Sequence, residues 1–523
     1  MSAWNFADVW EVVTEVVPDA PAVVHGGLHR SWRDFNARAD GLAAALGGLT
    51  SGSVAQYLYS CPEYLESVFA AFKLGLPPVN TNYRYAPDEL AYIWDNGDCA
   101  AVVFHGEFTE RVAAVRDRVP RVRAWVHVDD GTHPCPHFAV PYEEAVATPP
   151  GPTRRRSGDD LYIVYTGGTT GLPKGVMWRQ DDLFALLNAT APVRYPEEGG
   201  LDDVRAMLVK PGPPHIPAAP LMHGTGSFTS FAVMDCGGSV VTLTQRRFDV
   251  VELLDTIERE HVRSLAIVGD AFAKPILSAL DAEPQRWDVS SLRVLTSSGV
   301  MFSSVVKEGL LRHMPRLIIA DTLGSSEALG MATSVATAGG GAKTAVFTVG
   351  PSTRVITEDG RDVVPGSGEV GLMAQRGRVP LGYYKDEAKS AGTFRVIDGV
   401  RWSVPGDWAT VEADGTLRLL GRGSQCINTG GEKVYPEEVE EALKTHPGIS
   451  DAAVVGVPDD RFGEAVVALV EAAGEIDEQA VIAHVKGLLA GYKAPRRVVQ
   501  VPTLGRAPNG KVDYKALRAQ AIG

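Results

Sequence analysis

Two hydrophobic periods take turns along the chain. Over residues 32–46 apolar positions fall at Phe35, Ala39, Leu42 and Leu46, one face of a helix. Residues 65–72 form a denser apolar run that also predicts a helix, whereas residues 100–104, Ala-Ala-Val-Val-Phe, predict a short buried strand. Strand-like runs recur at 161–165, 239–243, 264–268, 293–296 and 317–320, each followed by turn or polar residues. Such alternation predicts stacked α/β layers. In open α/β sheets ligands collect at the carboxyl ends of strands. Residues 148–158, rich in Pro, Gly and Arg, read as a linker, and Gly339-Gly340-Gly341 as a short flexible loop. Beyond about residue 345 glycine-punctuated segments at 353–357, 368–375, 400–404 and 416–420 predict a small β-rich subdomain. Residues 436–443 then predict a helix, with Pro436 in its first turn and Glu437 and Glu438 where acids suit the helix dipole. Strands at 451–457 and 466–470 and a helix at 478–489 complete a compact α+β unit. The expected fold is α/β: a large N-terminal domain, 1–421, of layered α/β subdomains plus the β-rich subdomain, followed by a small mobile α+β C-terminal domain, 422–523.

Size and charge narrow the class. A chain of 523 residues exceeds one ordinary core and implies at least two domains. A net charge of −14 argues against a general nucleic-acid binder. The one basic run, Arg154-Arg155-Arg156, is followed by Asp159 and Asp160 and reads as a solvated linker, with an anionic partner as the alternative. Five cysteines (Cys61, Cys99, Cys135, Cys236, Cys426) show no CxxC spacing. They read as buried or incidental thiols in a reducing cytoplasm, not as a disulfide framework or zinc site. The first residues lack the basic and apolar regions of a signal peptide, and no run is long enough to span a bilayer. A cytoplasmic protein without a transmembrane segment is expected.

The densest chemistry follows the strand at 161–165. Tyr165-Thr166-Gly167-Gly168-Thr169-Thr170-Gly171-Leu172-Pro173-Lys174-Gly175 carries four glycines, three threonines and one lysine, with no acid. Glycines let backbone N–H groups approach an anion, hydroxyls add donors and the lysine adds charge, which is how a loop wraps a polyphosphate. It is not the Walker pattern, because Pro173 precedes Lys174 and Gly175 follows it, against a helix starting there. A second candidate, Asp321-Thr322-Leu323-Gly324-Ser325-Ser326-Glu327, follows the apolar run at 317–320 and places hydroxyls and a carboxylate at a strand end. Asp407 and Arg422, fifteen residues apart, flank the strand at 416–420 and suit ribose hydroxyls and phosphate. Pro508-Asn509-Gly510-Lys511 is a tight turn presenting one lysine.

These segments, in this order and over essentially the whole chain, resemble the adenylate-forming superfamily of acyl- and aryl-CoA synthetases, adenylation domains and luciferases. The resemblance makes Thr166, Gly167, Gly168, Thr169, Thr170, Gly171 and Lys174 the phosphate loop, with Gly167 where Ser is usual. It makes Glu327, with Thr166, the Mg²⁺ ligand, Ser326 an α-phosphate contact in place of Thr, and Asp321 an acceptor for the adenine amino group. Thr322, Gly324 and Ser325 join the nucleotide site, and Asp407 and Arg422 the ribose contacts. Leu323 replaces the usual Tyr. His223, Gly224 and Thr225 match the acid-pocket segment, His223 near the carboxylate; Ser298 and Gly299 stand in Ser297-Ser298-Gly299-Val300, where Gly-Gly-Ala/Glu-Pro is usual. The long stretch from Gly421 to Glu440 resembles the hinge and second-step loop, with Gln425 at the hinge in place of Asp or Lys, Asn428 lacking the common basic character, and Gly430, Gly431 and Lys433 on the CoA side. That stretch is most similar to actinobacterial synthetases acting on steroid side chains and other bulky or long acids. Lys511 matches the catalytic lysine.

The resemblance implies an AMP-forming acid:CoA ligase for a long-chain, steroid side-chain or aromatic acid, using ATP, Mg²⁺ and CoA. A carboxylate attacks the α-phosphorus of ATP, Lys511 and the glycine loop stabilise charge, and a thiol then displaces AMP. The small domain rotates between the two steps. Three other readings stand beside this one: transfer to a carrier-protein thiol or amine, activation of nitrite to diazotise an aromatic amine, and a catalytically silent nucleotide-binding regulator. Partners are the acid and CoA, with no nucleic acid; homodimers are common in the family.

Overall fold

The helical period at 32–46 becomes the helix Trp32–Ala45, started by Ser31, whose hydroxyl accepts the Asp34 N–H at 3.1 Å. Its apolar face, with Trp32, Phe35, Ala39 and Leu42, is buried. In this computed structural model the described residues are all but 1–3, 167–171, 301, 341–343, 423–424, 430–431, 460–462, 508–509 and 523. The helix Pro62–Lys73 is buried on every side, which is why its sequence shows a solid apolar run instead of a stripe.

Two large sheets organise the N-terminal domain. One has eight described strands and contains Ser53–Tyr57, Pro78–Asn80, Cys99–His105, Leu161–Thr166 and Lys174–Arg179. The other has fifteen and contains Ser239–Thr242, Pro214–Pro217, Ser264–Ile267, Val294–Ser298, Ile318–Ser325 and Ala328–Ala336 in adjacent order. The core between them is built on the helices Phe6–Val16, Pro62–Lys73 and Gly224–Met234, with Trp10 edge-on to Phe69, Phe72 and Phe231. The outer face of the second sheet is covered by Val250–Arg259, Gly269–Ala282 and Ser304–His313. The outer face of the first is covered by Pro87–Asn96 and Thr109–Val115. The layered α/β arrangement expected from the alternating periods is therefore present. The β-rich stretch also forms as expected, but it continues the second sheet through Val346–Val349, Leu417–Arg422, Asp407–Val411 and Val370–Arg376.

The smaller C-terminal domain carries a sheet of five described strands, in which the edge strand Ile449–Asp459 pairs antiparallel with Gly463–Ala472. Alternation divides those strands: Ala452, Val454, Val466 and Ala468 face the helices Pro436–Lys444 and Glu478–Leu488, while Ala453, Val455, Val467 and Leu469 face Tyr514–Ile522. The expected division at 421/422 falls within the last residues of the strand Leu417–Arg422.

One expectation is corrected. Arg154 and Arg156 are not solvated. Arg154 donates to the carbonyls of Leu49 and Gly47, and Arg156, 7% exposed, pairs with Asp8 and Glu11. A guanidinium on a linker can reach acidic groups and carbonyl ends that are distant in sequence, so two of the three charges are spent internally and no anionic partner is needed to explain them.

Candidate active site

The strands Leu161–Thr166 and Lys174–Arg179 are antiparallel neighbours with Thr166 opposite Lys174, so the two ends of the glycine-rich stretch are held side by side as a hairpin. Gly167, Gly168, Thr169, Thr170 and Gly171 lie outside the described residues. At the mouth of this hairpin is a cavity of about 1900 Å³. Its wall brings together Thr166, the segment His223-Gly224-Thr225, Ser298 and Gly299, all of Asp321 to Glu327, Asp407, Gln425 and Lys511. A site for one drug-sized ligand occupies roughly 300–1,000 Å³, so this cavity has room for a nucleotide and a second molecule together.

Each group is held by identifiable contacts. Glu327 sits at the turn between Ile318–Ser325 and Ala328–Ala336; its carboxylate accepts from the Tyr383 hydroxyl at 2.9 Å and its carbonyl from Ser403 Oγ at 2.7 Å. Trp178 Nε1 donates to the Ser326 carbonyl at 2.9 Å. Lys174 is set back from the cavity wall, with Nζ 4.8 Å from the centre of the Tyr383 ring. Asp321 lines the cavity, but Lys307 Nζ donates to its Oδ2 at 2.8 Å and both side chains are buried. Burial raises the Asp321 carboxyl, with Lys307 pulling it back down. The carboxylate expected to meet adenine is thus anchored from below by a cation the sequence reading did not single out. Asp407 is buried and pairs across the ladder with Arg422, at the end of the neighbouring strand. Lys433 pairs with Asn428 in the hairpin beyond, and Gly430 and Gly431 lie outside the described residues.

His223 is the N-cap residue of Gly224–Met234. Gly226 is required there: a Cβ would lie 2.4 Å from the Pro220 carbonyl oxygen. Burial, then the charges of Lys511 and Arg84, push the His223 imidazole down to about 4. It is therefore neutral at physiological pH. Asn80, at the end of the strand Pro78–Asn80, is the residue that ties this segment to the phosphate hairpin. Its side chain donates to the carbonyls of Tyr165 at 2.9 Å and Met222 at 2.6 Å and accepts the Tyr165 N–H at 2.6 Å. The sequence reading missed Asn80; its only signal was a polar residue closing a buried strand.

Lys511 reaches the cavity from the other domain. Gly510, at φ +71°, receives the Arg506 Nη1–H on its carbonyl at 2.8 Å, and Ala507 N–H donates to the Lys511 carbonyl at 2.8 Å. Arg506 is fixed in turn by Asp451, which also pairs with Lys444 at 3.2 Å; these cations hold the Asp451 carboxyl down at about 2, against burial. The turn packs on the N-terminal domain so closely that a Cβ on Gly510 would lie 3.0 Å from Val300 and 3.2 Å from Val268. Two further contacts join the domains. Lys274 Nζ donates to the Ser450 carbonyl at 2.7 Å, and Glu437 lies against Gly421.

A glycine-threonine hairpin, a strand-end carboxylate and a lysine carried in on a second domain are the parts of an ATP-dependent adenylating site. Residues 10–384 match the family model described as AMP-binding enzyme, and residues 438–511 match the AMP-binding enzyme C-terminal domain. The chain belongs to the AMP-binding enzyme family. It is similar to a 3-oxocholest-4-en-26-oate–CoA ligase of Rhodococcus rhodochrous, 40% identical, covering 99% of this chain and 96% of the relative. It is 37% identical to the medium-chain acyl-CoA ligase Mig of Mycobacterium avium, covering 100% of this chain and 99% of the relative. The fold of this AMP-binding enzyme also matches that of an anthranilate CoA ligase solved with anthranoyl-AMP, at a TM-score of 0.85 and 22% identity, covering 100% of this chain and 98% of that one. The family member described here is an AMP-forming ligase of the acyl-CoA-synthetase type. No described helix is long and apolar enough to cross a membrane.

Proposed function

We propose that this enzyme activates a bulky or long carboxylic acid with ATP to an acyl-adenylate and then transfers the acyl group to CoA. The observation that carries the reading is the single cavity shared by Thr166, Glu327, Asp407, His223 and Lys511. ATP has three places to be held: phosphates at the hairpin, ribose at Asp407, and base beside Asp321. Neutral His223 lines the acid end without bringing a second positive charge next to Lys511, and Lys511 compensates the negative charge shared by the attacking carboxylate and the α-phosphate. Glu327 and Thr166 offer hard oxygen donors, which suit Mg²⁺ bound through one carboxylate and substrate phosphates. Mg²⁺, when bound, neutralises phosphate charge. After pyrophosphate leaves, rotation of the C-terminal domain withdraws Lys511 and admits the thiol, a motion suited to a small domain carried on a short connection. We place the reaction in the cytoplasm, where ATP and CoA are available and thiols such as Cys61 and Cys236 stay reduced.

Product analysis by mass spectrometry tests the reading. The enzyme is supplied with Mg-ATP and fatty, steroid side-chain, cinnamic and aminobenzoic acids, with CoA, with nitrite, and with neither. The expected result is a CoA-dependent thioester with AMP. A nitrite-dependent diazo product indifferent to CoA would replace it.

A further inference from the structure

The strands flooring the cavity have a register that sorts their side chains. Leu295 and Ile319 face the covering helices, and so does Ser297, whose hydroxyl accepts the Gly269 N–H at 3.0 Å. Thr296 and Ser298, one position out of phase, face the cavity. Ser298 lies opposite Thr322, and Thr322 opposite Thr333, and both of those residues line the same cavity. Four hydroxyl residues on three neighbouring strands therefore form one patch. With strands about 4.8 Å apart and about 3.3 Å per residue, it measures roughly 10 Å across and 7 Å along, the footprint of one or two fused rings. Among the described residues none of these four hydroxyls is hydrogen-bonded, whereas Ser297 on the buried face and Ser264, bonded to His215 Nδ1 at 2.9 Å, are both engaged.

The patch starts next to the reacting end. Gly510, adjacent to Lys511, packs on Val300, two residues beyond Ser298. An acid with its carboxylate at Lys511 would lay its next atoms over the patch. A plain alkyl chain there would strip water from four hydroxyls and return nothing. An oxygen on the acid would be received by donors already in place.

Resting on the ligase reading, we propose that the preferred acid is a ring acid carrying a hydroxyl or keto oxygen within a few atoms of its carboxylate, and that one hydroxyl of the patch, Thr296 or Thr333, hydrogen-bonds that oxygen. The test uses pairs of cyclic acids that differ only in a ring hydroxyl or keto group. AMP release and thioester formation are measured for wild type and for Thr296→Val and Thr333→Val, which exchange a hydroxyl for a methyl at nearly constant volume. Wild type is expected to favour the oxygenated acid by about tenfold or more in kcat/KM, as sites built to bond a polar group do. Valine at whichever of the two positions makes the bond should bring that ratio towards one through the acid's KM, with the KM for ATP unchanged, and a ratio unmoved in both variants would overturn the proposal. Equal or better use of the deoxy acid by wild type would overturn the proposal, as would a change confined to the KM for ATP, which would assign the patch to the nucleotide. If a variant does not fold, the wild-type preference decides alone. Absence of AMP release with every acid would instead overturn the ligase reading, and this proposal with it.

Discussion

Lys511 is an exposed ammonium on a turn, and its effect depends on where the turn is docked. Lys511→Ala should lower adenylation by about 10²–10³-fold, the usual loss when one charge-stabilising donor is removed. Conversion of pre-made acyl-AMP and CoA to thioester should change little, because that step does not use the lysine. Pyrophosphate exchange and the isolated second step measure the two. His223 makes a different prediction. Its folded value of about 4 lies below the ordinary imidazole value, so it stays neutral through the physiological range, and no step from it should appear in kcat between about pH 6 and 8. The linkage has a definite sign. His105, His215 and His223, held at about 3, 4 and 4 chiefly by burial, bind protons more readily when unfolded. Acidification from about pH 6.5 to about pH 4 should therefore lower the unfolding midpoint, with the penalty from His215 and His223 constant below that. Replacing His215 and His223 by Gln should flatten this part of the profile in a thermal-melt series.

The hairpin and the strand-end turn were legible because their chemistry is contiguous: Thr166 and Lys174 face each other, and Asp321 to Glu327 is one uninterrupted run. The supports were not. Asn80 acts on partners 85 and 142 residues away, and Arg506 on Asp451, 55 residues away, so no local window contains either pairing. Lys307 was hidden for a related reason, since a lysine on a helix reads as surface until its helix is found covering the strand that carries Asp321. The Arg154 and Arg156 error had the same origin, charge judged from neighbours in sequence. The turn bearing Lys511 shows what such supports do. Arg506 grips its backbone and is gripped by Asp451, so Arg506→Ala should reduce the kcat of adenylation by about tenfold, with little change in the acid's KM, because positioning is lost and binding is not. Arg506→Lys, which keeps the charge without the fork, should recover part of the loss in the same assay.

The smaller C-terminal domain was readable from chain length and from the change of texture at the helix opened by Pro436. The docking of the domains was not, since it depends on shape at Gly421 and Gly510. In the arrangement seen here the C-terminal domain presents Lys511 to the cavity, and Lys274 supplies a polar tether to the Ser450 carbonyl. Lys274→Ala should weaken this arrangement by about one hydrogen bond, slowing adenylation roughly threefold to tenfold. The second step, which needs the domain elsewhere, should be unchanged or faster. Single-turnover measurement of each step separates the outcomes.

Asn80 binds with one side chain the strand leading into the phosphate hairpin and the segment leading into His223. A shift of either is therefore a shift of both. Were filling one half of the cavity to move Asn80, it would change the free energy of filling the other, and by the same factor whichever molecule arrives first. ATP and the acid would then report each other's presence before any bond between them forms, through one shared amide side chain.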